Sequence, residues 1–326
     1  MEYINLGNTG LKVSRLCLGC MTFGSKKWRD WILEKPEAEQ IIKYSLDRGI
    51  NFLDTADMYS DGASEEVVGT VMSQLCPRDA YVLATKVYFP TGEKPNQAGL
   101  SRKHIFEAVD ASLKRLKTDY IDVYQIHRFD YQTPIEETLE ALNDLIRMGK
   151  ARYIGASSMY AWQFAKMLYI SKLNNWSRII SMQNHYNLVY REEEREMLPL
   201  CREEGIGVIP WSPLARGFLA GNRKRNRSGS TIRAKTDTYA QKLYFQEQDF
   251  AILDRVISLA HQKDVLPIQI ALAWLLHKKG VSSPIIGVRE PKQLDDLIAA
   301  TEITLSPEEQ KYLEEPYKPK EILGHS

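Results

Sequence analysis

The chain has 326 residues, of which 44% are hydrophobic and 26% are charged, and its formal net charge is +1. This length fits one large domain or two ordinary ones, and α/β barrels often reach it as a single unit. A charge near zero, together with the lack of any run of 18 consecutive apolar residues, predicts neither a nucleic-acid partner nor a membrane partner.

Short apolar stretches with the composition of buried strands alternate with longer segments along the chain. The predicted strands are Leu16–Leu18, Asn51–Thr55, Tyr81–Lys86, Ile121–His127, Ala151–Ser157, Ile179–Asn184, Gly207–Ser212 and Pro284–Val288. Strands that alternate with helices of ten or more residues favour a parallel sheet, and eight such units favour its closure. The predicted fold is therefore an α/β fold, the (β/α)8 or TIM barrel.

Helical spacing of apolar residues is found between most of these strands. The predicted helices are Pro36–Arg48, Ser101–Leu116, Thr133–Met148, Tyr160–Lys172, Glu192–Glu204, Glu247–Lys263, Pro267–Lys278 and Pro291–Ala300. Ser101 is expected to cap its helix, and Thr133, followed by Pro134, is expected to form a capping box. Gly49 and Gly205 stand where helices are expected to end.

Two segments lie outside this alternation. Residues 3–14 carry a Gly-Asn-Thr-Gly turn between apolar runs, which predicts a β-hairpin over the N-terminal end of the barrel. Residues 217–246 form a long loop after the seventh strand and contain GNRKRNRSGSTIRAK. Loops of this length are often lids or binding loops. Because no linker rich in proline or serine divides the chain, we predict a single domain over residues 1–326.

The sequence also predicts a cellular compartment. The N-terminal stretch MEYINLGNTG lacks the basic and then apolar pattern of an export signal. Four cysteines in a chain of this length indicate a reducing environment rather than a disulfide framework. Six scattered histidines, with no His-x-His at a strand end, predict no metal site. We expect a cytoplasmic protein without a bound metal.

Four polar residues of different chemistry stand at or just after the ends of predicted strands. Asp54 and Tyr59 lie in NFLDTADMYSDG, Lys86 closes YVLATK, and His127 closes IDVYQIH. The carboxyl ends of parallel barrel strands converge on one face, where such enzymes keep their chemistry. A carboxylate, a phenol, an ammonium and an imidazole gathered there would form a proton-donating site for the reduction of a carbonyl.

Each of these residues also has a simpler interpretation. Asp54 could cap the following helix, Tyr59 could be a wall residue, Lys86 could be a surface charge at the barrel mouth, and His127 could be structural. A different enzyme class is also open, because Lys86 on the same barrel could serve as the nucleophile of a Schiff-base lyase or sugar-phosphate enzyme.

The motifs resemble those of the aldo-keto reductase family along nearly the whole chain. DTADMYSDGASEEVVG, ATK, QIH and WSPLARG carry the resemblance. LCLGCMTFG, QIHRFDYQTPIEETLEAL, KARYIGASS and VIPWSPLARG are most similar to YajO-like bacterial members and fungal aryl-alcohol dehydrogenases. The resemblance implies a barrel enzyme that reduces aldehydes or ketones to alcohols with NADPH, acts on a small-molecule carbonyl substrate and is a monomer or weak homo-oligomer.

Two other activities within the family stay open. One is the formation of 1-deoxyxylulose 5-phosphate, which is attributed to some YajO-like proteins. The other is a cofactor-binding regulatory subunit, although the channel β-subunits of the family have Asn where this chain has His127.

The resemblance also implies a role for each residue of the polar set. Tyr59 is the general acid, Lys86 lowers its pKa, Asp54 is the partner of Lys86, and His127 orients the substrate carbonyl. A free tyrosine titrates near pH 10, and a neighbouring cation favours its phenolate form. A buried lysine needs a carboxylate partner to keep its charge.

The resemblance further implies that NADPH or NADP+ lies extended across the barrel mouth, and no Gly-x-Gly-x-x-Gly follows the first strand. The implied cofactor-binding residues are Gly19, Cys20, Met21, Asp54, Ser157, Ser158, Gln183, Trp211, Ser212, Pro213, Leu214, Ala215, Arg216, Gly217, Arg233, Gly287, Arg289, Gln293 and Asp296. Trp211 would stack on the nicotinamide and Gln183 would contact its carboxamide. Arg289 would bind the 2′-phosphate, which favours NADP over NAD.

The chain departs from the family pattern at three places. Ser60 replaces a common glycine, which is expected to shift its loop. Cys20 and Met21 replace Thr-Trp and change the pocket wall, and Asp296-Leu297 replaces Glu-Asn, which would remove one adenine hydrogen bond. The loop residues Arg223, Lys224, Arg225 and Arg227 are expected to be solvated, whereas Arg233 aligns with a cofactor contact.

Aromatic residues in the loops after strands suggest a substrate pocket for aryl aldehydes. These are Trp28, Trp31, Tyr88, Phe89 and Phe129. Arg128, next to His127, could meet an anionic group such as a sugar phosphate. Aromatic loop residues can equally be packing, so the substrate stays open.

Overall fold

The computed structural model describes residues 1–221, 225 and 231–325. An antiparallel hairpin opens the chain and is formed by β1 (Tyr3–Asn5) and β2 (Lys12–Ser14). Leu6, in the hairpin turn, is fully buried against Phe52, Val82 and Ile180. Those three residues stand at or near the starts of barrel strands, so the predicted cover over the N-terminal end of the barrel is confirmed.

The central sheet has eight parallel strands, as the sequence predicts. They are β3 (Cys17–Gly19), β4 (Phe52–Asp54), β5 (Val82–Val87), β6 (Ile121–Ile126), β7 (Ala151–Ser157), β8 (Ile179–Gln183), β9 (Gly207–Val208) and β10 (Ile285–Ile286). Their hydrogen-bonded order is β10-β3-β4-β5-β6-β7-β8-β9. A parallel bridge between Val208 and Val281, and a 2.9 Å bond from Ile285 N to the Pro210 carbonyl oxygen, connect the two ends. The fold is the (β/α)8 barrel.

Helices follow the strands and cover the outside of the sheet. They are α1 (Lys35–Asp47), α2 (Ala63–Leu75), α3 (Arg102–Leu116), α4 (Ile135–Arg147), α5 (Ala161–Leu173), α6 (Met197–Glu203), α7 (Ile232–Thr236), α8 (Thr238–Leu243), α9 (Glu247–Gln262), α10 (Pro267–Leu276), α11 (Pro291–Ala299) and α12 (Pro307–Glu314). None of the helices in the described part of the chain is both long enough and apolar enough to cross a membrane.

Helix α2 was not predicted, and its sequence explains why. ASEEVVGTVMSQL contains Val, Thr and Gly, which are weak helix formers, so helical propensity gives little signal. Gly69 is needed because a Cβ atom there would lie 2.4 Å from the backbone carbon of Leu116. The helix therefore forms because tertiary packing brings it into close contact with α3, which a local pattern does not reveal. Helix α12 and the short helices α7 and α8 were also missed.

The predicted helix caps have mixed outcomes. Ser101 caps α3 as expected, since its Oγ accepts a 3.3 Å bond from the backbone N–H of His104. The capping box at Thr133 is wrong, because α4 begins after Pro134 and the Thr133 hydroxyl instead donates to Asp130 at 2.7 Å. Because the Thr133 hydroxyl is bonded to the Asp130 carboxylate, it does not cap the start of α4.

Several predicted elements are shorter in the structure, and two of them change most in character. The seventh strand ends at Val208 instead of Ser212, because Pro210 has no N–H to continue the ladder. The helix predicted over Glu192–Glu204 is divided into a 3-10 turn at Glu192–Glu194 and helix α6. The carboxylates of Glu192 and Glu193 are buried and bind other parts of the chain, so this segment is held by tertiary contacts.

Candidate active site

A cavity of about 840 Å³ opens where the barrel strands end. Gly19 closes β3, Asp54 closes β4, Ser157 closes β7 and Gln183 closes β8, and all four line this cavity. Its volume lies in the range of small-molecule and cofactor sites, roughly 300–1,000 Å³. The candidate site therefore lies at the carboxyl ends of the barrel strands, as the positions of Asp54, Lys86 and His127 in the sequence predict.

A buried ion pair lies at the floor of the cavity. The Lys86 Nζ atom donates to Asp54 Oδ1 at 2.5 Å and to the Thr55 carbonyl oxygen at 2.8 Å. The side chain of Lys86 is 0% exposed and that of Asp54 is 3% exposed. The surface-charge interpretation of Lys86 is therefore wrong. Burial alone would lower the pKa of Lys86, but Asp54 and Tyr59 outweigh it and raise that pKa above its usual range.

Two amides complete the environment of Asp54. The Nε2 atoms of Gln125 and Gln183 each donate to Asp54 Oδ2 at 2.9 Å, and Gln183 Nε2 also lies 3.1 Å from Gln125 Oε1. Asp54 thus serves as the acceptor for an ammonium and two amides, and α2 begins after Gly62, so the helix-cap interpretation is wrong. Gln125 was not predicted, although a glutamine inside a strand whose every residue is buried is a signal of such a partner.

Tyr59 lies beside this pair. The Lys86 Nζ atom is 5.1 Å from the centroid of the Tyr59 ring, and the ring packs 5.8 Å from His127 and 6.3 Å from Trp28. Burial raises the pKa of Tyr59, and the Lys86 charge opposes part of that rise. The phenol is therefore protonated at neutral pH. The Lys86 ammonium is close enough to stabilise the phenolate that forms when the phenol gives up its proton.

The turn after Tyr59 has an unusual backbone. Ser60 and Asp61 adopt φ values of 50° and 54°, in the left-handed region that favours glycine. Ser60 thus holds a backbone conformation that is usual for glycine, and whether the loop is shifted relative to glycine-bearing relatives stays a prediction. The Ser60 side chain packs against Gly24, where an added Cβ would lie 2.4 Å from Ser60 Oγ.

His127 forms the other wall beside Tyr59. Its ring packs 4.8 Å from Phe89, and its Nδ1 atom is buried without a hydrogen-bond partner among the described residues. Burial, together with the charges of Lys86 and Arg128, holds the pKa of His127 well below its usual range. The imidazole is therefore neutral, with one nitrogen able to donate and the other able to accept.

Most of the residues implied in cofactor binding lie on the cavity wall. They are Gly19, Met21, Asp54, Ser157, Gln183, Trp211, Ser212, Pro213, Leu214, Arg216, Gly217, Arg233, Gly287, Arg289 and Gln293. Four others do not line it. Cys20 and Ala215 are fully buried in the core, Ser158 lies behind Trp211, and Asp296 pairs with Lys292 at 3.2 Å.

Trp211 is held in a stack of three rings. The His185 ring lies 4.2 Å from Trp211 and 4.1 Å from Tyr190, with interplanar angles of 12° and 9°. Trp211 Nε1 donates to Ser158 Oγ at 2.9 Å, and His185 Nε2 lies 2.6 Å from the Tyr244 hydroxyl. The indole therefore has a fixed orientation at the cavity wall.

The end of the chain packs beneath this stack. Leu323 N donates to the Tyr190 hydroxyl at 2.9 Å, and His325 Nε2 lies 3.1 Å from Glu193 Oε1. Gly324 fits directly against the indole, since a Cβ atom there would lie 2.9 Å from Trp211. We call residues 316–325 the C-terminal tail.

The loop after the seventh strand contributes two arginines to the wall. Arg216 Nε and Arg233 Nε both donate to Asp237 Oδ2, at 2.7 Å and 3.1 Å. Arg233 also lies over Trp31, 4.5 Å from the ring centroid. Two guanidinium groups therefore share one carboxylate at the cavity wall. Asp237 also accepts from Ala240 N at 3.2 Å and so caps α8.

The other basic residues of this loop differ. Arg225 is exposed and pairs with Glu247 and Asp254 at 3.1 Å and 3.0 Å, which agrees with a solvated role. Arg223, Lys224 and Arg227 lie outside the described residues.

Arg289 occupies the far side of the cavity. Its backbone N donates to Gln293 Oε1 at 2.9 Å, and its Nε atom is buried without a partner among the described residues. No carboxylate within that part of the chain forms an ion pair with it. A guanidinium in this state is suited to an anionic ligand.

The aromatic residues expected in a substrate pocket divide into two groups. Trp28, Phe89 and Arg128 line the cavity. Trp31 is 1% exposed and lies behind Trp28, and Tyr88 packs edge-on against Phe89, so neither forms the wall. Phe129 also does not line it and packs instead on Tyr131 and Trp162.

Several wall residues were not predicted. They are Thr22, Arg29, Met58, Ala220, Thr231, Ile232, Tyr239, Ile268, Ile285, Ile286, Glu290 and Leu297. Thr231, Ile232 and Tyr239 fall in the loop after the seventh strand, whose length was the available signal. No group of three or more His, Cys, Asp or Glu residues suited to a metal ion is found in the described part of the chain.

The structure combines a closed parallel barrel with a cavity of polar and aromatic residues at the carboxyl ends of its strands. Enzymes with this fold have their active sites at that position. The chain belongs to the aldo/keto reductase family, whose model matches residues 15–318. The family uses nicotinamide cofactors, and its activity is carbonyl reduction, which makes this protein an oxidoreductase.

Similar proteins agree with this membership. Versiconal hemiacetal acetate reductase from Aspergillus parasiticus is 47% identical, over 99% of this chain and 98% of its own length. A protein from Schizosaccharomyces pombe that is named as an aryl-alcohol dehydrogenase is 47% identical, over 98% of this chain and 96% of its own length. Another protein with this name, from Saccharomyces cerevisiae, is 42% identical, over 98% of this chain and 98% of its own length. The expected similarity to fungal aryl-alcohol dehydrogenases is confirmed.

Proposed function

We propose that the protein is an NADPH-dependent reductase of aldehydes or ketones in which Tyr59 donates the proton. The observation that carries this proposal is the buried ion pair of Lys86 and Asp54 beside the Tyr59 ring, with neutral His127 on the opposite side. The pKa shifts of Lys86, Tyr59 and His127 keep the first charged, the second protonated and the third neutral, as these roles need.

Each residue of the polar set has a separate part in proton transfer. Tyr59 donates its hydroxyl proton to the carbonyl oxygen of the substrate. Lys86 stabilises the phenolate left behind, and Asp54 keeps Lys86 charged inside the barrel. His127 orients the carbonyl oxygen by a hydrogen bond from a neutral ring. When bound, the reduced nicotinamide supplies the hydride that the carbonyl carbon accepts.

The described residues fit a phosphate-bearing dinucleotide. Arg216 and Arg233 are cations in the loop after the seventh strand, and Arg289, on the far side, has an Nε atom without a partner among the described residues. The fixed face of Trp211 is suited to stacking on a planar ring. We assign Arg289 to the 2′-phosphate, which makes NADPH the preferred cofactor.

The alternatives have less support. A Schiff-base nucleophile must be an unprotonated amine, whereas the pKa of Lys86 is raised and its side chain is fully buried. A regulatory subunit without turnover does not need the complete set, and this chain keeps His127. No contact in the cavity favours the formation of 1-deoxyxylulose 5-phosphate over reduction. Free, buried Cys17, Cys20 and Cys201 support a cytoplasmic location.

The test is a titration of the purified protein with NADPH and NADH, followed by tryptophan fluorescence, and then a turnover assay with an aldehyde panel. Trp28 and Trp211 line the cavity, so cofactor binding should change the emission. We expect tighter binding of NADPH than of NADH and aldehyde-dependent oxidation of NADPH. Binding without turnover of any aldehyde would favour the regulatory role, and no binding of either cofactor would refute the proposal.

A further inference from the structure

Arg128 is a charged side chain inside the candidate site that proton transfer does not use. It follows His127 directly and lines the cavity beside Phe89. Its Nη1 atom donates to the His127 carbonyl oxygen at 2.6 Å, and its guanidinium carbon lies 5.4 Å from the centroid of the Phe89 ring. Backbone and ring together fix the guanidinium next to the carbonyl-orienting group.

The charge of Arg128 has no acidic partner in the part of the chain that the structure describes. Its Nε atom is buried without any hydrogen bond there. The oxygen groups that interact with it electrostatically are the phenols of Tyr239, Tyr59 and Tyr88, and none of these is a carboxylate. Arg128 is half-buried and its Nε atom is shielded from water, and a charge in such a place is unfavourable unless a ligand supplies the counter-charge.

The nearest acid in sequence is already committed elsewhere. Asp130 Oδ2 accepts from Leu100 N at 2.8 Å and from the Thr133 hydroxyl at 2.7 Å, and its Oδ1 accepts from Gln132 N at 2.9 Å. These bonds turn the carboxylate toward the start of α3 and α4. Asp130 therefore fixes its own loop and leaves the charge of Arg128 uncompensated.

Arg128 is also separate from the arginines that we assign to the cofactor. Arg216 and Arg233 share Asp237, and Arg289 belongs to the segment after β10. Arg128 instead adjoins His127 and Phe89, on the side where the substrate carbonyl is oriented. Arg128 therefore lies on the part of the cavity wall next to His127, where the proposed reaction places the substrate.

We propose that Arg128 binds an anionic oxygen group of the substrate, a carboxylate or a phosphate, so that the preferred substrates are aldehydes or ketones that carry such a group. The inference rests on the proposed function, because it names the substrate class of that site. A planar guanidinium matches both anions with paired N–H donors. Trp28 and Phe89 on the same wall suit an aromatic or otherwise flat body between the anion and the carbonyl.

The test compares substrates that differ only in charge. Purified enzyme is assayed with NADPH and 4-carboxybenzaldehyde, its methyl ester, 4-formylphenyl phosphate and unsubstituted benzaldehyde. We expect kcat/KM for an anionic aldehyde to exceed that for the neutral ester by about tenfold or more, as a charge-assisted hydrogen bond allows. The ratio between the carboxylate and the phosphate shows which anion the site prefers.

Variants assign the preference to a residue. Arg128→Met keeps much of the packing on Phe89 and should remove the preference for the anion, whereas Arg128→Lys should keep part of it. Arg29→Met is the matched control, because Arg29 also lines the cavity, lies 4.6 Å from the Trp28 ring centroid and forms no ion pair within the described residues. We expect Arg29→Met to keep the anion-to-ester ratio of the wild type.

Several outcomes would overturn the proposal. Equal kcat/KM for anion and ester in the wild type would do so, and so would a preference that survives Arg128→Met or is lost equally in Arg29→Met. A weaker affinity for NADPH in Arg128→Met, with the substrate ratio unchanged, would assign the guanidinium to the cofactor instead. If Arg128→Met does not fold, the ratio measured in Arg128→Lys decides, because an unchanged ratio would then rule out bidentate binding.

Binding measurements separate this proposal from the reductase function. Calorimetric titration with benzoate and with benzamide, in the presence of NADP+, requires no turnover. If no aldehyde is reduced but benzoate binds about tenfold more tightly than benzamide and loses that advantage in Arg128→Met, the reductase function fails and the anion site stands. If aldehydes are reduced but neither assay distinguishes the anion, the reductase function stands and the anion site fails.

Discussion

Lys86 Nζ lies 2.5 Å from Asp54 Oδ1 in a pair that is almost completely shielded from water. The two amides on Asp54 Oδ2 satisfy the remaining oxygen, so the carboxylate has no need of a water molecule. Such a pair is costly to desolvate and is weak evidence for stability on its own. Its value here is that it holds a positive charge at a fixed distance from the Tyr59 ring.

The first prediction concerns the proton donor. Tyr59→Phe removes the hydroxyl and keeps the ring that packs on Trp28 and His127. We expect kcat for aldehyde reduction to fall by about 100- to 10,000-fold, the usual contribution of a positioned acid. NADPH affinity, measured by fluorescence titration, should stay within about twofold. Turnover similar to that of the wild type would show that the proton comes from another group.

The second prediction concerns pH. Tyr59 has a pKa raised above 10.0 and His127 has one well below 6.5, so the phenol is protonated and the imidazole neutral between these limits. At saturating NADPH we expect kcat for reduction to be level from about pH 6 to about pH 9 and to fall only on the alkaline side, as Tyr59 loses its proton. A change in kcat between pH 6 and pH 7 that disappears in His127→Gln would contradict a neutral imidazole.

The third prediction concerns stability. Lys86→Met leaves the Asp54 carboxylate buried with only two amides as partners. Breaking a buried pair in this way should lower the free energy of unfolding by about 3–5 kcal/mol. Lys103→Met is the matched control, because Lys103 forms an exposed pair with Glu107 on α3, and its change should stay within about 0.5 kcal/mol. Urea denaturation measures the free energy of unfolding of both variants. An equal decrease in the two would show that breaking the buried pair costs no more than breaking an exposed one.

The fourth prediction concerns cofactor choice. Arg289→Ala removes a guanidinium whose Nε atom has no partner among the described residues. It should weaken NADPH binding by about tenfold or more, with little effect on NADH binding. Lys292→Ala is the control for general electrostatics, since Lys292 is exposed and pairs with Asp296. Similar losses for NADPH and NADH in Arg289→Ala would mean that the 2′-phosphate is bound elsewhere.

The fifth prediction concerns the contact between the C-terminal tail and Trp211. Gly324 has a φ of +85°, and Gly324→Ala would place a Cβ atom 2.9 Å from the indole. The left-handed backbone adds about 1–2 kcal/mol of strain. We expect the tail to shift, tryptophan emission to change and NADPH affinity to fall by a few-fold to about tenfold. Gly10→Ala, which has no atom within 4 Å of its added Cβ, should leave all three unchanged.

The barrel itself was predictable, because strand composition and alternation depend on local sequence. The hydrogen-bond partners of Asp54 could be predicted only in part. The motif resemblance indicated Lys86, but Gln125 is recognised only once β6 is known to be buried along its whole length. Helix α2 was missed because its stability comes from the approach to Leu116, not from its own residues. In the same way, the burial of Trp31 follows from the position of Trp28 and Arg233, which lie distant from one another along the chain.

The packing of the C-terminal tail decides where a label can be attached without disturbing the cavity. Met1 is exposed near the hairpin, at the opposite end of the barrel from the cavity, whereas His325 is buried against Glu193 beneath the Trp211 stack. A fluorescent label on Met1 extends into solvent. A label on Gly324 or His325 must displace packed atoms, and assays with it would report an altered cavity wall at Trp211.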